Sequence, residues 1–149
     1  TRDCPVADVA TGPGKTSLAK GELIESIFLP ARPAKSSDAY LRFIPRTEMD
    51  IAVASAGVSL TLDEAGSCTA ARVALGAVAP TALLVPDAGA ALVGSSLDAA
   101  ALEAMAAACA AACNPIDDKR GTVAYRTSVT GVLAKRAALI AAERAGGVR

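Results

Sequence analysis

The sequence has no histidine and no tryptophan, and two tyrosines and two phenylalanines are its only aromatic residues. Without histidine, a Ser-His-Asp triad, a Cys-His pair and a His-ligated metal site are all excluded. Few aromatics argue against a base-stacking surface, and a formal net charge of zero argues against a large basic surface for nucleic acid. No apolar stretch is long enough to span a bilayer. We therefore predict neither nucleic-acid binding nor a membrane span.

Cysteine is also scarce, with four residues at positions 4, 68, 109 and 113. Cys109 and Cys113 are four residues apart in an alanine-rich run, so a helix would place both on one face. The pair is either half of a metal or redox site or two small side chains in a helix seam. Packing is favoured because the sequence has no histidine and no second cysteine pair to complete a metal site. This cysteine usage predicts a reducing, cytoplasmic location.

A Gly-Pro-Gly-Lys-Thr run at residues 12–16 resembles part of a phosphate-binding P-loop. The full motif needs a glycine at position 9, where this sequence has Val9, whose Cβ would crowd the phosphate-binding turn. The polar, broken segment before the run is also unlike the buried strand that precedes a P-loop. A surface turn is the favoured interpretation.

The 149 residues suit a single domain, whose first half has the pattern of β-strands and short turns. We predict strands at residues 22–30, 39–46, 50–63 and 68–80. Their short connections favour antiparallel pairing.

The second half has helical periodicity. We predict a short helix at 86–94 that stops at Gly94, a helix capped by Ser95 or Ser96 that reaches Cys113, and a long helix within 121–147. Strands followed by helices predict an α+β fold, with an antiparallel sheet of three or four strands and helices on one face.

Four stretches in this order carry a family resemblance: GPGKTSLAKGELIESIFLP, AYLRFIPRTEMDIAVASAGVSL, ARVALGAVAPTALLVPDAGAALVG and IDDKRGTVAYRTSVTGVLAKRA. Over residues 8–142 the sequence resembles the C-terminal domain of the FAD-binding medium subunit of molybdenum hydroxylases, the carbon monoxide dehydrogenase and xanthine dehydrogenase family. The resemblance implies that residues 1–21 connect from the end of a flavin-binding domain and that 22–149 form the C-terminal α+β domain.

The resemblance also implies a function. The chain would be part of a subunit that passes electrons from iron–sulfur clusters through FAD to an acceptor. FAD would be shared with an N-terminal region outside this sequence, so the isolated chain is expected to be inactive. Partners would be an iron–sulfur small subunit and a molybdopterin large subunit. The alternative is a non-catalytic subunit-interaction module of the same fold without its own flavin.

Two cofactor-binding residues follow from the resemblance, and no catalytic or metal-binding residue does. Ile24 would place an apolar side chain against the flavin, and Arg42 would place a cation near it, which favours the anionic reduced form. Otherwise Ile24 is an ordinary core residue and Arg42 a surface charge. The resemblance also places the loop with Arg46, Glu48 and Asp50 near the flavin edge.

A late Tyr125-Arg126 pair is a further feature of the resemblance. We interpret it as structural, with Tyr125 on the buried face of a helix. Arg126 is then expected to pair with Asp117 or Asp118.

Overall fold

A four-stranded antiparallel sheet and three helices form the main body of the chain. The computed structural model describes residues 1–146, and the element order is β-then-α, as expected from the sequence. A short hairpin comes first, made of β1 (Ala10–Gly12) and β2 (Lys15–Thr16). The main sheet has the order β3 (Ser36–Phe43), β4 (Ala54–Leu62), β5 (Cys68–Gly76) and β6 (Leu83–Leu84). The helices are α1 (Pro86–Ala90), α2 (Ala99–Ala112) and α3 (Val123–Arg144).

The helices cover one face of the sheet and leave the other open. Helix α3 packs on β3 and β4, α1 packs on β5, and α2 packs on α1 and α3. Side chains alternate along β3 because successive Cβ atoms point to opposite faces. Ala39 is buried, for example, whereas its neighbours Asp38 and Tyr40 are exposed. We call the side away from the helices the open face.

Alanine dominates the contact between α3 and the rest of the core. Ala134, Ala137, Ala138 and Ala141 are fully buried and recur at the spacing of one helix face. Small side chains allow close approach, and an added Cβ on Gly131 would lie only 3.3 Å from the Cβ of Ala106 in α2. Larger side chains complete the core further out; those fully buried include Leu60, Leu75, Leu92 and Met105.

The two long helices begin at polar caps. Asp98 Oδ1 accepts hydrogen bonds from the backbone N–H groups of Ala100 and Ala101, both at 3.0 Å. Asp98 therefore caps α2, and the prediction of Ser95 or Ser96 as cap is wrong. The Ser95 hydroxyl instead donates to the carbonyl of Leu92 at 2.7 Å, closing the turn after α1. Thr122 caps α3 by accepting from the N–H of Tyr125 at 3.2 Å.

The α+β fold class and the antiparallel sheet are confirmed, as are the strands predicted at 39–46, 50–63 and 68–80, with shifted ends. Strand β6 was not predicted, because it has only two residues. The short helix predicted at 86–94 ends at Ala90, and Gly94 follows in the left-handed region at φ 85°. The boundary at residue 22 between connector and domain stays a prediction.

The strand predicted at residues 22–30 is wrong. This segment has no regular secondary structure, and in the described chain its backbone pairs with no strand. Alternation of apolar residues indicates a segment that suits a sheet, but it supplies no neighbouring strand. Residues 22–30 therefore lie extended on the surface, with their apolar side chains in solvent.

The Gly-Pro-Gly-Lys-Thr run forms the turn between β1 and β2, with Gly14 in the left-handed region at φ 66°. No helix follows the turn, so the surface-turn interpretation is confirmed. The packing interpretation of Cys109 is confirmed as well: its side chain is fully buried, and burial raises its thiol pKa to about 11. Cys113 donates from its thiol to the carbonyl of Cys109 at 3.2 Å. In residues 1–146 no cluster of side chains suits a metal ion, and no helix has the length and apolar character of a membrane span.

Gly89 is where α1 approaches the sheet most closely, and its substitution tests this contact. A Cβ there would lie 2.6 Å from the backbone carbonyl oxygen of Ala71 in β5. We expect Gly89→Ala to destabilise the protein by about 1–3 kcal/mol, because this clash outweighs the usual helix preference for alanine. The measurement is the free energy of unfolding in urea. Gly12→Ala is the control, because its added Cβ meets nothing closer than 4.0 Å. Equal stability of Gly89→Ala and wild type would contradict the close packing.

Candidate functional site

The open face of the sheet carries Arg42 among small neighbours. Across the strands, Arg42 pairs with Ser55, and Ser55 pairs with Gly76. The Arg42 side chain is exposed and forms no hydrogen bond or ion pair with residues 1–146. Its guanidinium is therefore available to a group outside the described chain.

Further along the open face, a shallow concavity of about 590 Å³ contains Tyr40, Arg72, Leu84 and Arg144. The Tyr40 ring lies over Gly57, where an added Cβ would be 3.7 Å from Cδ2 of the ring. Tyr40 is largely exposed and Leu84 is about half exposed. This face thus combines an apolar platform with unpaired positive charge.

Ile24 lies in the irregular segment before β3, and 59% of it is exposed. Four more large apolar side chains in this segment are exposed to an even greater degree: Leu23, Ile27, Phe28 and Leu29. We call residues 23–29 the apolar segment. Ile24 is therefore not an ordinary core residue of the described chain. No hydrogen bond joins the apolar segment to β3, so the described structure does not join Ile24 and Arg42 into one site.

Arg126 is the most buried charged residue of the described chain, with 2% of its surface exposed. Its Nε donates to the carbonyl of Gly121 at 3.2 Å and its Nη1 to the carbonyl of Val53 at 2.8 Å. Its Nη2 donates to Oδ1 of Asp118 at 2.7 Å. We call these four residues the Arg126 cluster. The cluster joins the first turn of α3 to the residue before β4 and to the loop before α3.

The loop between β3 and β4, residues 44–53, lies against the loop between α2 and α3. Asp50 makes the contact: its Oδ1 accepts from Nε of Arg120 at 3.1 Å, and its Oδ2 accepts from Nε of Arg46 at 3.2 Å. The Asp50 side chain is only 5% exposed. The Arg120 guanidinium is the main reason that the pKa of Asp50 is lowered. Asp50 is thus held ionised between two arginines that are far apart in sequence.

Asp118 has a similar environment. Its Oδ1 accepts from the backbone N–H of Arg120 at 2.8 Å as well as from Arg126. The backbone hydrogen bond comes first among the causes that lower the pKa of Asp118, and the Arg126 side chain comes second. The two carboxylates, Asp50 and Asp118, therefore both favour the folded state in their ionised form.

The structure corrects one part of the sequence interpretation of Tyr125-Arg126 and confirms another. Tyr125 is about half exposed and contacts Phe43 edge-to-face, with ring centroids 6.2 Å apart, so its predicted burial is wrong. Arg126 is the buried member of the pair. Its expected ion pair is confirmed with Asp118, whereas Asp117 accepts from the N–H of Val123 at 3.4 Å.

The sequence grouped Arg46 with Asp50 but did not place Arg120 beside them. Seventy positions separate Asp50 from Arg120, so no local pattern relates them. The charged run Asp117-Asp118-Lys119-Arg120 was the available signal. Glu48, the third charge of the loop, is exposed and forms no ion pair in the described chain.

An antiparallel sheet with helices on one face and an open basic face defines an α+β module that resembles part of a flavoprotein. Residues 39–141 match the family model for the CO dehydrogenase flavoprotein C-terminal domain, and this chain belongs to that family. The medium chain of carbon monoxide dehydrogenase from Afipia carboxidovorans is 38% identical over 130 residues, which cover 87% of this chain and 44% of that one. The putative xanthine dehydrogenase FAD-binding subunit of Escherichia coli is 26% identical over 147 residues, covering 98% and 50% of the two chains.

Solved structures agree. Reconstituted CO dehydrogenase from Oligotropha carboxidovorans superposes with a TM-score of 0.87 at 36% identity, covering 93% of this chain and 48% of that one. Quinoline 2-oxidoreductase from Pseudomonas putida 86 gives a TM-score of 0.83 at 29% identity, covering 93% and 47%. The chain therefore spans about half the length of the relatives that it matches.

The Arg126 cluster predicts a large effect of one substitution. We expect Arg126→Met to destabilise the protein by about 3–5 kcal/mol, because it leaves Asp118 and two carbonyl groups without their buried donor. Arg126→Lys keeps the charge but replaces a three-way fork by a single ammonium, so it should recover only part of the loss. The measurement is urea unfolding. Arg136→Met is the control, since Arg136 is an exposed arginine of the same helix and should change stability by about 0.5 kcal/mol or less. Equal effects at the two positions would contradict the structural role of Arg126.

The lowered pKa values of Asp50 and Asp118 predict acid sensitivity. A carboxyl group whose folded-state pKa is depressed adds stability above its unfolded pKa, and this contribution is lost as pH falls through the folded value. Stability should thus decline from about pH 5 downward. Asp50→Asn should be less stable at neutral pH and should show a smaller further loss between about pH 6 and pH 3. Glu48→Gln, in the same loop, is the control and should keep the wild-type pH dependence. If all three proteins lose stability in parallel on acidification, the interpretation of Asp50 is wrong.

Proposed function

We propose that this chain is the C-terminal module of an FAD-containing subunit of a molybdenum hydroxylase, and that it contributes one side of the flavin site. The family match over residues 39–141 is the observation that carries the proposal, because the matched relatives include FAD-binding subunits. The subunit would pass electrons from iron–sulfur clusters through FAD to an acceptor. An iron–sulfur small subunit and a molybdopterin large subunit would be its partners, in the cytoplasm.

The residues of this chain fit one part of FAD and not another. Arg42 offers an unpaired cation on the open face, and Ile24 offers an exposed apolar side chain. A pyrophosphate is usually held by backbone N–H groups of a glycine-rich loop at a helix N-terminus. Here the glycine-rich run lies in the β1–β2 hairpin, and no helix follows it. The chain thus supplies a cation and an apolar wall, and the pyrophosphate would be held by further protein.

The exposed apolar segment supports a site completed by further protein. Leu23, Phe28 and Leu29 are each more than four-fifths exposed in the described structure. Burying one such side chain is worth about 1.5–3 kcal/mol, so a surface that covers the segment would bind with a strong hydrophobic contribution. Closure over the segment would bring Ile24 out of water.

In this arrangement each residue has a distinct task. FAD, when bound, supplies the redox chemistry. Arg42 would stabilise negative charge on the flavin, because a cation at low dielectric favours an anionic neighbour. Ile24 would exclude water from the same region. Asp50 and the Arg126 cluster would hold the adjoining loops in place.

A non-catalytic interaction module remains the second candidate, and the exposed apolar segment favours it as much as it favours the first. The two candidates differ in one measurable property. A flavin-site module assembles with a flavin-binding half and yields a yellow complex, whereas an interaction module assembles without flavin.

The chain can be tested with the part of the Afipia carboxidovorans medium chain that lies outside the matched region, which covers the length that this chain does not span. We expect the two to co-elute in size-exclusion chromatography with bound FAD, and the chain alone to retain none. Arg42→Ala should make the bound flavin harder to reduce, lowering its midpoint potential by about 30 mV, which corresponds to about 1.4 kcal/mol for a two-electron couple. Arg72→Ala, an exposed arginine on the same face, is the control.

Each outcome decides between the candidates. A colourless complex would favour the interaction module. A yellow complex with equal potentials and FAD occupancy for wild type and Arg42→Ala would leave Arg42 an ordinary surface charge. A lowered potential in both Arg42→Ala and Arg72→Ala would indicate a general field of the open face rather than a flavin contact.

A further inference from the structure

A second concave site lies where the loop at residues 44–53 meets the loop before α3. Its cavity volume is about 400 Å³, and its lining consists of Pro45, Arg46, Asp50, Lys119 and Arg120. Three of these five residues are cations and one is an anion. We call this the arginine pocket. It makes no use of Ile24 or Arg42, the two flavin contacts proposed above.

Asp50 holds the two arginines without closing the pocket. Both of its oxygens are occupied, because Oδ1 accepts from Arg120 and from the N–H of Ile51 and Oδ2 accepts from Arg46. In each arginine it is the Nε that faces Asp50. The Nη2 of Arg46 donates to the carbonyl of Met49 at 3.2 Å, and the Nη1 of Arg120 is 3.7 Å from Asp118.

Donor groups therefore remain free in this pocket. Nη1 of Arg46 and Nη2 of Arg120 have no acceptor in residues 1–146, and the ammonium of Lys119 also lacks one there. Lys119 is exposed, and it belongs to a different loop from Arg46. Because these donors belong to two separate loops and line one pocket, they indicate one shared ligand rather than two unrelated surface charges.

The backbone of the loop at residues 44–53 has an unusual conformation beside Arg46. Met49 is 97% exposed and has a φ of 48°. This is the left-handed region, which residues other than glycine and asparagine seldom adopt. Its carbonyl is the acceptor that fixes Arg46. Because nothing covers the Met49 side chain, packing does not explain this conformation, and the same residue presents its carbonyl to Arg46.

We propose that the arginine pocket binds an oxyanion of the phosphate class. Two pre-oriented guanidinium groups and a mobile ammonium match the several oxygens of a phosphate, and orientation by Asp50 reduces the entropy lost on binding. Asp50 is almost fully buried and balanced by both arginines, so the lining keeps an excess of two positive charges. Glu48 on one loop and Asp117 and Asp118 on the other weaken the attraction, so affinity in the millimolar range is expected rather than tighter binding.

The probe for the test is inorganic pyrophosphate, with the full 149-residue chain. We expect saturable broadening of the ³¹P resonance and a saturable rise in the unfolding temperature. Arg46→Gln should weaken binding by about tenfold and Lys119→Gln by several-fold, and neither should alter the fold, because both side chains are exposed. Arg72→Gln, a cation on the open face, should bind like wild type. Sodium chloride at matched ionic strength controls for general salt effects, and Arg46→Gln in the same pyrophosphate solution controls for stabilisation by exclusion of the anion from the protein surface.

Two further arms identify the source of the anion and the role of Asp50. Binding of inorganic phosphate and of ADP is compared with binding of uncharged adenosine. This comparison distinguishes a site for free phosphate from a site for a phosphorylated ligand. Asp50→Asn should lose affinity despite the removal of a negative charge, since the arginines lose their orientation. Linear, non-saturating effects shared equally by wild type, Arg46→Gln and Arg72→Gln would overturn the proposal. Tighter binding by Asp50→Asn would overturn the positioning role.

Discussion

The buried hydrogen bonds of Arg126 are the interaction on which the arrangement of this domain most depends. A guanidinium with 2% exposure needs an acceptor for each of its donor directions, because an unpaired buried charge is strongly destabilising. Its three nitrogens meet acceptors on two different parts of the chain: the residue before β4 and, at two positions, the loop before α3. The hydrogen-bond geometry of one side chain thereby fixes how the long helix lies on the sheet at this end. The alanine-rich face of α3 permits close approach but specifies position weakly, so the polar contacts supply the register.

The helices cover one face of the sheet in the described chain, and the other face is open. On the helix side, small and branched apolar residues are fully buried; on the open face, Tyr40 is largely exposed and Leu84 about half exposed. The apolar segment, which precedes β3 in the chain, adds five more exposed side chains. Clusters of exposed apolar side chains are typical of surfaces that another protein covers. Both features agree with a domain that spans about half the length of its relatives.

The sequence predicted the sheet and helices well where local pattern determines the structure, and poorly where a distant partner does. Residues 39–43 of the strand predicted at 39–46 lie in β3, because their alternation matches a face that α3 covers. Residues 22–30 alternate as well, yet no strand is available beside them, and nothing in their own pattern reveals this. The prediction that Tyr125 lies on the buried face of the helix failed for a related reason. An aromatic ring is usually the residue that is buried, but here three carbonyl and carboxylate acceptors made burial of Arg126 favourable, and they lie up to 73 positions away.

The positions of the charged loops follow from the direction of α3. Its last turn reaches β3 near the start of that strand, where Arg144 donates to the carbonyl of Asp38 at 2.9 Å. Its first turn therefore lies at the other end of the sheet, beside Phe43 and the loop that follows β3. Arg42, the arginine pocket and the Arg126 cluster thus share one end of the domain. The Arg126 cluster fixes both loops at this end. It can therefore hold the exposed cations of these loops at defined positions although their side chains are not packed in the core. The positive groups that a flavin or an oxyanion would meet are in this way positioned by a core interaction that neither ligand touches.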